Sequence, residues 1–172
     1  DQTGQTSCKG CSTGYYRSSA STQTKCQAGY KCSNCARTAC SSGTYQNQAG
    51  QTSCKSISKC GAGKYVSTLA TSTSNTVCSN CPSNTYQSST SHLETSCKPA
   101  AVCPEGKYQK TAATATSNTV CVACDGVTEY QDRSGQLSCK SVKKCTYGEY
   151  QSRAPTASTN RQCSACSLGL GY

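Results

Sequence analysis

The sequence of 172 residues contains no phenylalanine, no tryptophan and no methionine, and its single isoleucine is Ile57. Leucine, isoleucine and valine together number thirteen. That scarcity excludes an apolar core of ordinary size, because so little burial cannot offset the entropy lost in ordering so long a chain. No apolar run approaches the about 20 residues of a spanning helix, so no membrane span is expected. With neither an initiator Met nor an apolar leader, the sequence reads as mature or excised. The one histidine, His92, lies among Thr90, Ser91, Leu93 and Glu94 and reads as a solvated surface residue. Seven acids are scattered from Asp1 to Glu149. Neither inventory supports a nucleophilic triad or a carboxylate pair, and no enzyme is expected. No Asn-x-Ser/Thr sequon occurs, which excludes N-glycosylation. The hydroxyl-rich stretches 67–76, 88–91 and 111–119 leave O-glycosylation or plain solvation as alternatives.

What is abundant is cysteine, 18 residues. An even count at recurring spacings points to a disulfide framework in an oxidising compartment, hence a secreted or cell-surface protein. Lys and Arg number 17 against seven acids, a net charge of +10. The sequence pI of about 8.9 counts every thiol as titratable, and oxidation raises it. This balance suits a solvated surface, and among partners it suits glycans, acidic polysaccharide or an acidic protein face. Only Lys143 and Lys144 are adjacent, with no basic run interleaved with aromatics, so no nucleic acid is expected.

Self-similarity organises the chain. Gly4-Gln5-Thr6-Ser7-Cys8-Lys9 recurs unchanged at residues 50–55, and with Leu137 for Thr at 135–140. Thr73-Ser74-Asn75-Thr76-Val77-Cys78 recurs at 116–121, and Gly63-Lys64-Tyr65 at 106–108. Two kinds of loop alternate within a repeat of about 42 residues. Short loops run from Cys40 to Cys54, Cys81 to Cys97 and Cys124 to Cys139; long ones run from Cys60 to Cys78, Cys103 to Cys121 and Cys145 to Cys163. The simplest pairing closes each loop on itself. In the crowded N-terminal stretch Cys11–Cys26 reads as one loop, with Cys32 and Cys35 undecided. The divisions are an irregular segment 1–39 that starts mid-module, repeats 40–80, 81–123 and 124–165, and the start of a further module at 166–172. A tyrosine follows most opening cysteines by five residues: Tyr16, Tyr45, Tyr65, Tyr86, Tyr108 and Tyr150, with Tyr130 at six. These rings are expected to cover the disulfides as small module cores. The intervening Gly, Ser, Thr, Asn and Gln predict turns and two-stranded pieces, with little or no helix.

The run from Thr73 to Gln87, Thr-Ser-Asn-Thr-Val-Cys-Ser-Asn-Cys-Pro-Ser-Asn-Thr-Tyr-Gln, resembles the cysteine-rich domains of tumour necrosis factor receptors. It is equally similar to the repeats beside the ephrin-receptor ligand-binding domain. The resemblance implies a small disulfide-rich fold, an elongated ladder of tandem modules. Receptor domains usually carry six cysteines per repeat; the regular repeats here carry four, implying a one-disulfide form of the second module.

The CxxC steps also raise a four-thiolate zinc site or a redox motif. The second pair is too widely spaced for the first and no strand–helix context supports the second, so no metal and no cofactor is expected. Asp125, Glu129 and Asp132 are close in sequence but match no calcium loop. Two cysteines stand outside the register. Cys8 ends a short loop whose opening is missing, and Cys166 opens one whose end is missing; the residues after Cys166 and before Cys8 together number thirteen, the count between Cys40 and Cys54. This suggests an inter-unit junction Cys166–Cys8 and a partner that is another copy of the chain, joined head to tail. Exact hexapeptide repeats and polar composition favour a structural unit of an extracellular fibre, filament or matrix. The alternative is a receptor or adhesion ectodomain that binds a protein ligand along its side.

Overall fold

The computed structural model describes residues 10–167. A recurring local event starts most of its hairpins: a residue in the left-handed region reverses the chain one or two residues before a tyrosine. Gly14, Gly29, Gly43, Gly63, Gly106 and Gly148 hold this position, and Asn84 replaces glycine with φ 60°. At Gly14 the requirement is strict, since a Cβ there would lie 2.1 Å from the carbonyl oxygen of Gly50.

Each turn launches a short antiparallel hairpin, and the described residues contain no helix. The chain divides into two units. In the first, Asp1–Asn80 with Thr90–Ser96, β1 (Tyr15–Arg17) pairs with β2 (Gln23–Lys25) and β3 (Tyr30–Ser33) with β4 (Ala36–Ala39). There too β5 (Thr44–Tyr45) pairs with β6 (Lys55–Ser56), and β7 (Lys64–Thr68) with β8 (Val77–Asn80). In the second, Cys81–Ser89 with Cys97–Tyr172, β9 (Thr85–Tyr86) pairs with β10 (Lys98–Pro99) and β11 (Lys107–Thr111) with β12 (Val120–Ala123). The last pairs are β13 (Glu129–Tyr130) with β14 (Lys140–Ser141) and β15 (Glu149–Arg153) with β16 (Gln162–Ala165). The three long hairpins carry a register shift at the same place, between Val66 and Thr68, Gln109 and Thr111, and Gln151 and Arg153.

Disulfides close these hairpins. The structure joins Cys40–Cys54, Cys60–Cys78, Cys81–Cys97, Cys103–Cys121, Cys124–Cys139 and Cys145–Cys163. The N-terminal stretch differs from the Cys11–Cys26 reading: Cys11 pairs with Cys35 and Cys26 with Cys32. The cause is a two-residue turn. Asn34 (φ 50°) and Cys35 (φ 62°) both lie in the left-handed region, so β3 folds straight back into β4 instead of running out into a long loop. That turn sets Cys35 against β1, where its carbonyl accepts the Arg17 N–H at 3.0 Å.

The buried interior is almost entirely sulfur and amide. Its apolar members are Cys26, Cys32, Cys60, Val66, Cys103 and Cys124. The largest fully buried side chains are Gln46, Gln87 and Gln131, each directly after the tyrosine of a short loop. Gln46 Nε2 donates to the Ser53 carbonyl at 2.8 Å and its Oε1 accepts the Gln48 N–H; Gln131 does the same with Ser138, at 2.7 Å, and Arg133. The glutamine backbone meanwhile ties successive loops together. The Gln46 N–H reaches the Ser72 carbonyl at 2.9 Å, while its own carbonyl accepts the Gly29 N–H at 2.7 Å. Gln131 repeats this with Ala157 and Gly106. Of the tyrosines expected to cover the disulfides, Tyr16, Tyr45, Tyr65, Tyr86, Tyr108 and Tyr130 are half-buried and Tyr150 is 55% exposed.

His92 corrects the reading of a solvated surface residue. It is buried, and its backbone bridges to Cys60 in both directions, N–H to carbonyl, at 2.9 and 3.0 Å. Its Nδ1 accepts the Glu94 N–H at 3.1 Å, which leaves Nε2 to donate to the Gly61 carbonyl at 3.2 Å. Gly50 and Gly135 make the matching backbone bond to Cys26 and Cys103, so His92 occupies a bridge position held elsewhere by glycine.

Non-reducing peptide mapping should recover Cys11 joined to Cys35 and Cys26 joined to Cys32; a Cys11–Cys26 peptide would contradict the tight turn. Replacing Gln131 with alanine leaves the Ser138 carbonyl and the Arg133 N–H without their buried partner. Loss of about 2 kcal/mol is expected in denaturant unfolding, against a smaller change for the half-buried Gln136→Ala, whose Nε2 bonds the Ser134 carbonyl.

Candidate functional site

Lysines and arginines lie over tyrosine faces. Lys55 Nζ sits 5.9 Å from the Tyr45 ring centroid and Lys140 Nζ 5.9 Å from that of Tyr130. The most developed case is Arg37 on β4, whose guanidinium lies 4.9 Å from the Tyr16 ring and 4.5 Å from the Tyr30 ring. It also donates to the Tyr16 hydroxyl at 3.5 Å. Residue spacing gave no sign of this cluster, because Tyr16, Tyr30 and Arg37 meet only through the unpredicted turn at Asn34 and Cys35.

Charge divides along the chain in a way that net charge conceals. Between residues 10 and 93 there are seven lysines and arginines and no acid; every acid but Asp1 lies at Glu94 or beyond. Two matching positions show the contrast. In the second unit Lys140 forms an ion pair with Asp132, whereas in the first Lys55 Nζ donates to the amide oxygen of Asn47 at 3.1 Å. The geometry is kept and the neutralising charge is not. The signal was present in the sequence as the acid-free stretch.

Of the clustered acids, Asp125 and Asp132 serve separate partners, and no metal-holding group of three such side chains occurs among the described residues. Asp125 Oδ1 accepts the N–H groups of Val127, Thr128 and Glu129, each at 2.8 Å, and Oδ2 bonds the Thr128 hydroxyl. The hydroxyl and these N–H donors hold its carboxyl well below the usual carboxylate range. The Lys140 hydrogen bond lowers Asp132, and the Thr146 N–H and hydroxyl lower Glu149. The CxxC cysteines are likewise committed, Cys78 to Cys60 and Cys81 to Cys97.

Two open grooves occupy equivalent places in successive repeats. One, of about 300 Å³, is lined by Ile57, Leu69, Ala70 and Leu93 in the first unit. The other, of about 490 Å³, is lined by Pro82, Ala100, Val102, Ala112 and Ala113 in the second. Leu69 and Val102 are 62% and 70% exposed, apolar side chains left to water on a polar surface. Of the supposed junction, Cys166 is exposed and unpaired, and Cys8 lies outside the described residues.

The repeated hexapeptides have a local explanation. Asn75 Oδ1 accepts the N–H groups of Ser58 and Thr76; Asn118 does so with Ala101 and Thr119, and Asn160 with Lys143 and Arg161. Just before each asparagine a hydroxyl pair closes the turn: Thr71 with Ser74, Thr114 with Ser117 and Thr156 with Thr159, all at 2.7 Å. Within Gly50–Lys55, Gly50 makes the bridge to Cys26 and Ser53 receives Gln46. Several of the repeated residues thus have a task within the fold.

Residues 40–78 and 81–121 match the family described as the TNFR/NGFR cysteine-rich region. Solved structures similar to this chain include the mouse RANKL-OPG complex, at 26% identity over 73% of this chain and 88% of that one, with a TM-score of 0.38. A second is the human RANKL/OPG complex, at 27% identity over 73% and 72%, with a TM-score of 0.37. A third is equine lentivirus receptor 1, at 19% identity over 74% and 98%, with a TM-score of 0.35. No curated protein matches the chain. The family match overturns the reading as a fibre unit partnered head to tail with its own copies. The two matched repeats are similar to a receptor-type region, and the sameness that favoured a fibre accompanies the hydrogen bonds that Asn75, Asn118 and Asn160 make in each module.

Asp125 generates a pH expectation. A carboxylate depressed in the folded state contributes stability that is present above its ordinary value and is lost only as pH falls through the lower, folded value. Its Cγ resonance should therefore still report the ionised form at about pH 3, where an ordinary aspartate is largely protonated. Asp125→Ala should abolish exchange protection of the Val127, Thr128 and Glu129 amides; retained protection would show that the carboxylate does not hold the turn.

Proposed function

We propose, on the premise that this chain carries tumour necrosis factor receptor-type cysteine-rich repeats, that it is an extracellular receptor segment that binds a protein ligand. The observation that carries the reading is the match of two consecutive repeats to that region, residues 40–78 and 81–121. The surface supports it. Open apolar grooves recur at equivalent positions, and tyrosine and arginine, the side chains enriched at protein-binding hot spots, stand exposed or half-exposed along the hairpins. Catalysis has no place in this reading. His92 is spent on a backbone bridge, and Asp125, Asp132 and Glu149 each hold a turn or an ion pair.

The test is binding of the intact, oxidised chain to arrayed extracellular and cell-surface proteins, followed by surface plasmon resonance on each positive. Saturable binding to a defined protein, lost when the disulfides are reduced, is expected. A chain that bound none of them would overturn the reading.

A further inference from the structure

The first unit is more than generally cationic. On its two N-terminal hairpins the positive charge is sorted by face. In the β3–β4 pair, Cys32 lies opposite Arg37 and Tyr30 opposite Ala39, so Tyr30 and Arg37 share a face; Lys31, opposite Thr38, falls on the other. In the β1–β2 pair, Tyr16 lies opposite Thr24, while Lys25 and Arg17 belong to the alternate face with Tyr15. Arg37 is therefore the one cation on the face that Tyr16 and Tyr30 frame. Its guanidinium is exposed, stacked between the two rings, and has no carboxylate among its contacts. No acid between residues 10 and 93 exists to supply one.

Resting on the receptor reading, we propose that this face docks an acidic segment of a protein ligand, with Arg37 receiving a carboxylate side chain. The physical case has two parts. The acid-free stretch gives the unit a positive field that steers an acidic partner toward it. Arg37 then supplies a pre-oriented fork: one arm donates to the Tyr16 hydroxyl and the rings restrict the others, so little side-chain freedom is lost when a planar carboxylate binds. A polysulfated chain would instead need several cations in line, and the faces keep Lys25 and Lys31 out of line with Arg37.

The experiment uses the full oxidised chain, with a tetraglutamate peptide and a heparin tetrasaccharide as probes, followed by NMR at the arginine Nε–H and backbone amides. Tetraglutamate should shift Arg37, Tyr16 and Tyr30 saturably. Arg37→Gln should weaken it about tenfold, with Arg37→Lys, which keeps the charge but loses the fork, also weaker than wild type. Arg153→Gln, an exposed change in the second unit, should leave affinity unchanged. Native disulfide maps for each variant exclude misfolding. Shifts spread over the lysines with no dependence on Arg37, or heparin saturating Arg37 at lower concentration than the peptide, would overturn the proposal. The two readings fail separately. A protein ligand that binds wild type and Arg37→Gln equally would leave the receptor standing and remove the acidic seat. Tetraglutamate seated on Arg37 in a chain with no protein ligand would do the reverse.

Discussion

Loop closure by disulfides is the constraint on which everything else in this molecule depends. With Val66 the only buried aliphatic side chain among the described residues, the hairpins have no apolar layer to lie on. Two-stranded ribbons of two to five residues do not persist alone in water. Each cross-link removes freedom from the unfolded chain, a contribution of about 3 kcal/mol for loops of this size in the chain-entropy account. The cystines also supply the buried matter itself, since five of the six buried apolar residues are half-cystines.

Closure makes modules, and hydrogen bonding joins them. The glutamine after the tyrosine of each short loop holds its own loop through its side chain. Through their backbones Gln46 and Gln131 bond the loops before and after, Gln46 with Gly29 and Ser72 and Gln131 with Gly106 and Ala157. Such a joint is polar, local and specific in register, which suits a protein that must hold its surface still without a core. The side chains left over, tyrosines, cations and a few aliphatics, are then left at the surface.

The tandem, helix-poor, disulfide-rich fold was legible because it is written in spacing, and spacing survives without knowledge of contacts. The resemblance to receptor repeats was legible from residues 73–87 for the same reason. What escaped depended on single backbone angles or on burial. The N-terminal pairing turned on the left-handed pair Asn34 and Cys35, and although asparagine favours that region, cysteine does not. The buried glutamines were hidden because Tyr-Gln also occurs at Tyr108-Gln109 and Tyr150-Gln151, where the glutamine is half-buried or exposed. His92 looked solvated because its neighbours are polar, and only the bridge to Cys60 shows that it takes a glycine's place. The fibre reading failed differently. It took identity between repeats as a sign of polymerisation, when Asn75, Asn118 and Asn160 require that identity to satisfy backbone N–H groups.

An interior of sulfur and amide also has a thermal consequence. The heat-capacity increment of unfolding rises with the apolar surface exposed and falls with the polar surface exposed. Unfolding here, with the cross-links intact, uncovers little hydrocarbon and a comparatively large share of amide and hydroxyl. A small increment per residue and a flat stability curve are therefore expected, with the surface held to nearly the same degree in cold and in warm surroundings.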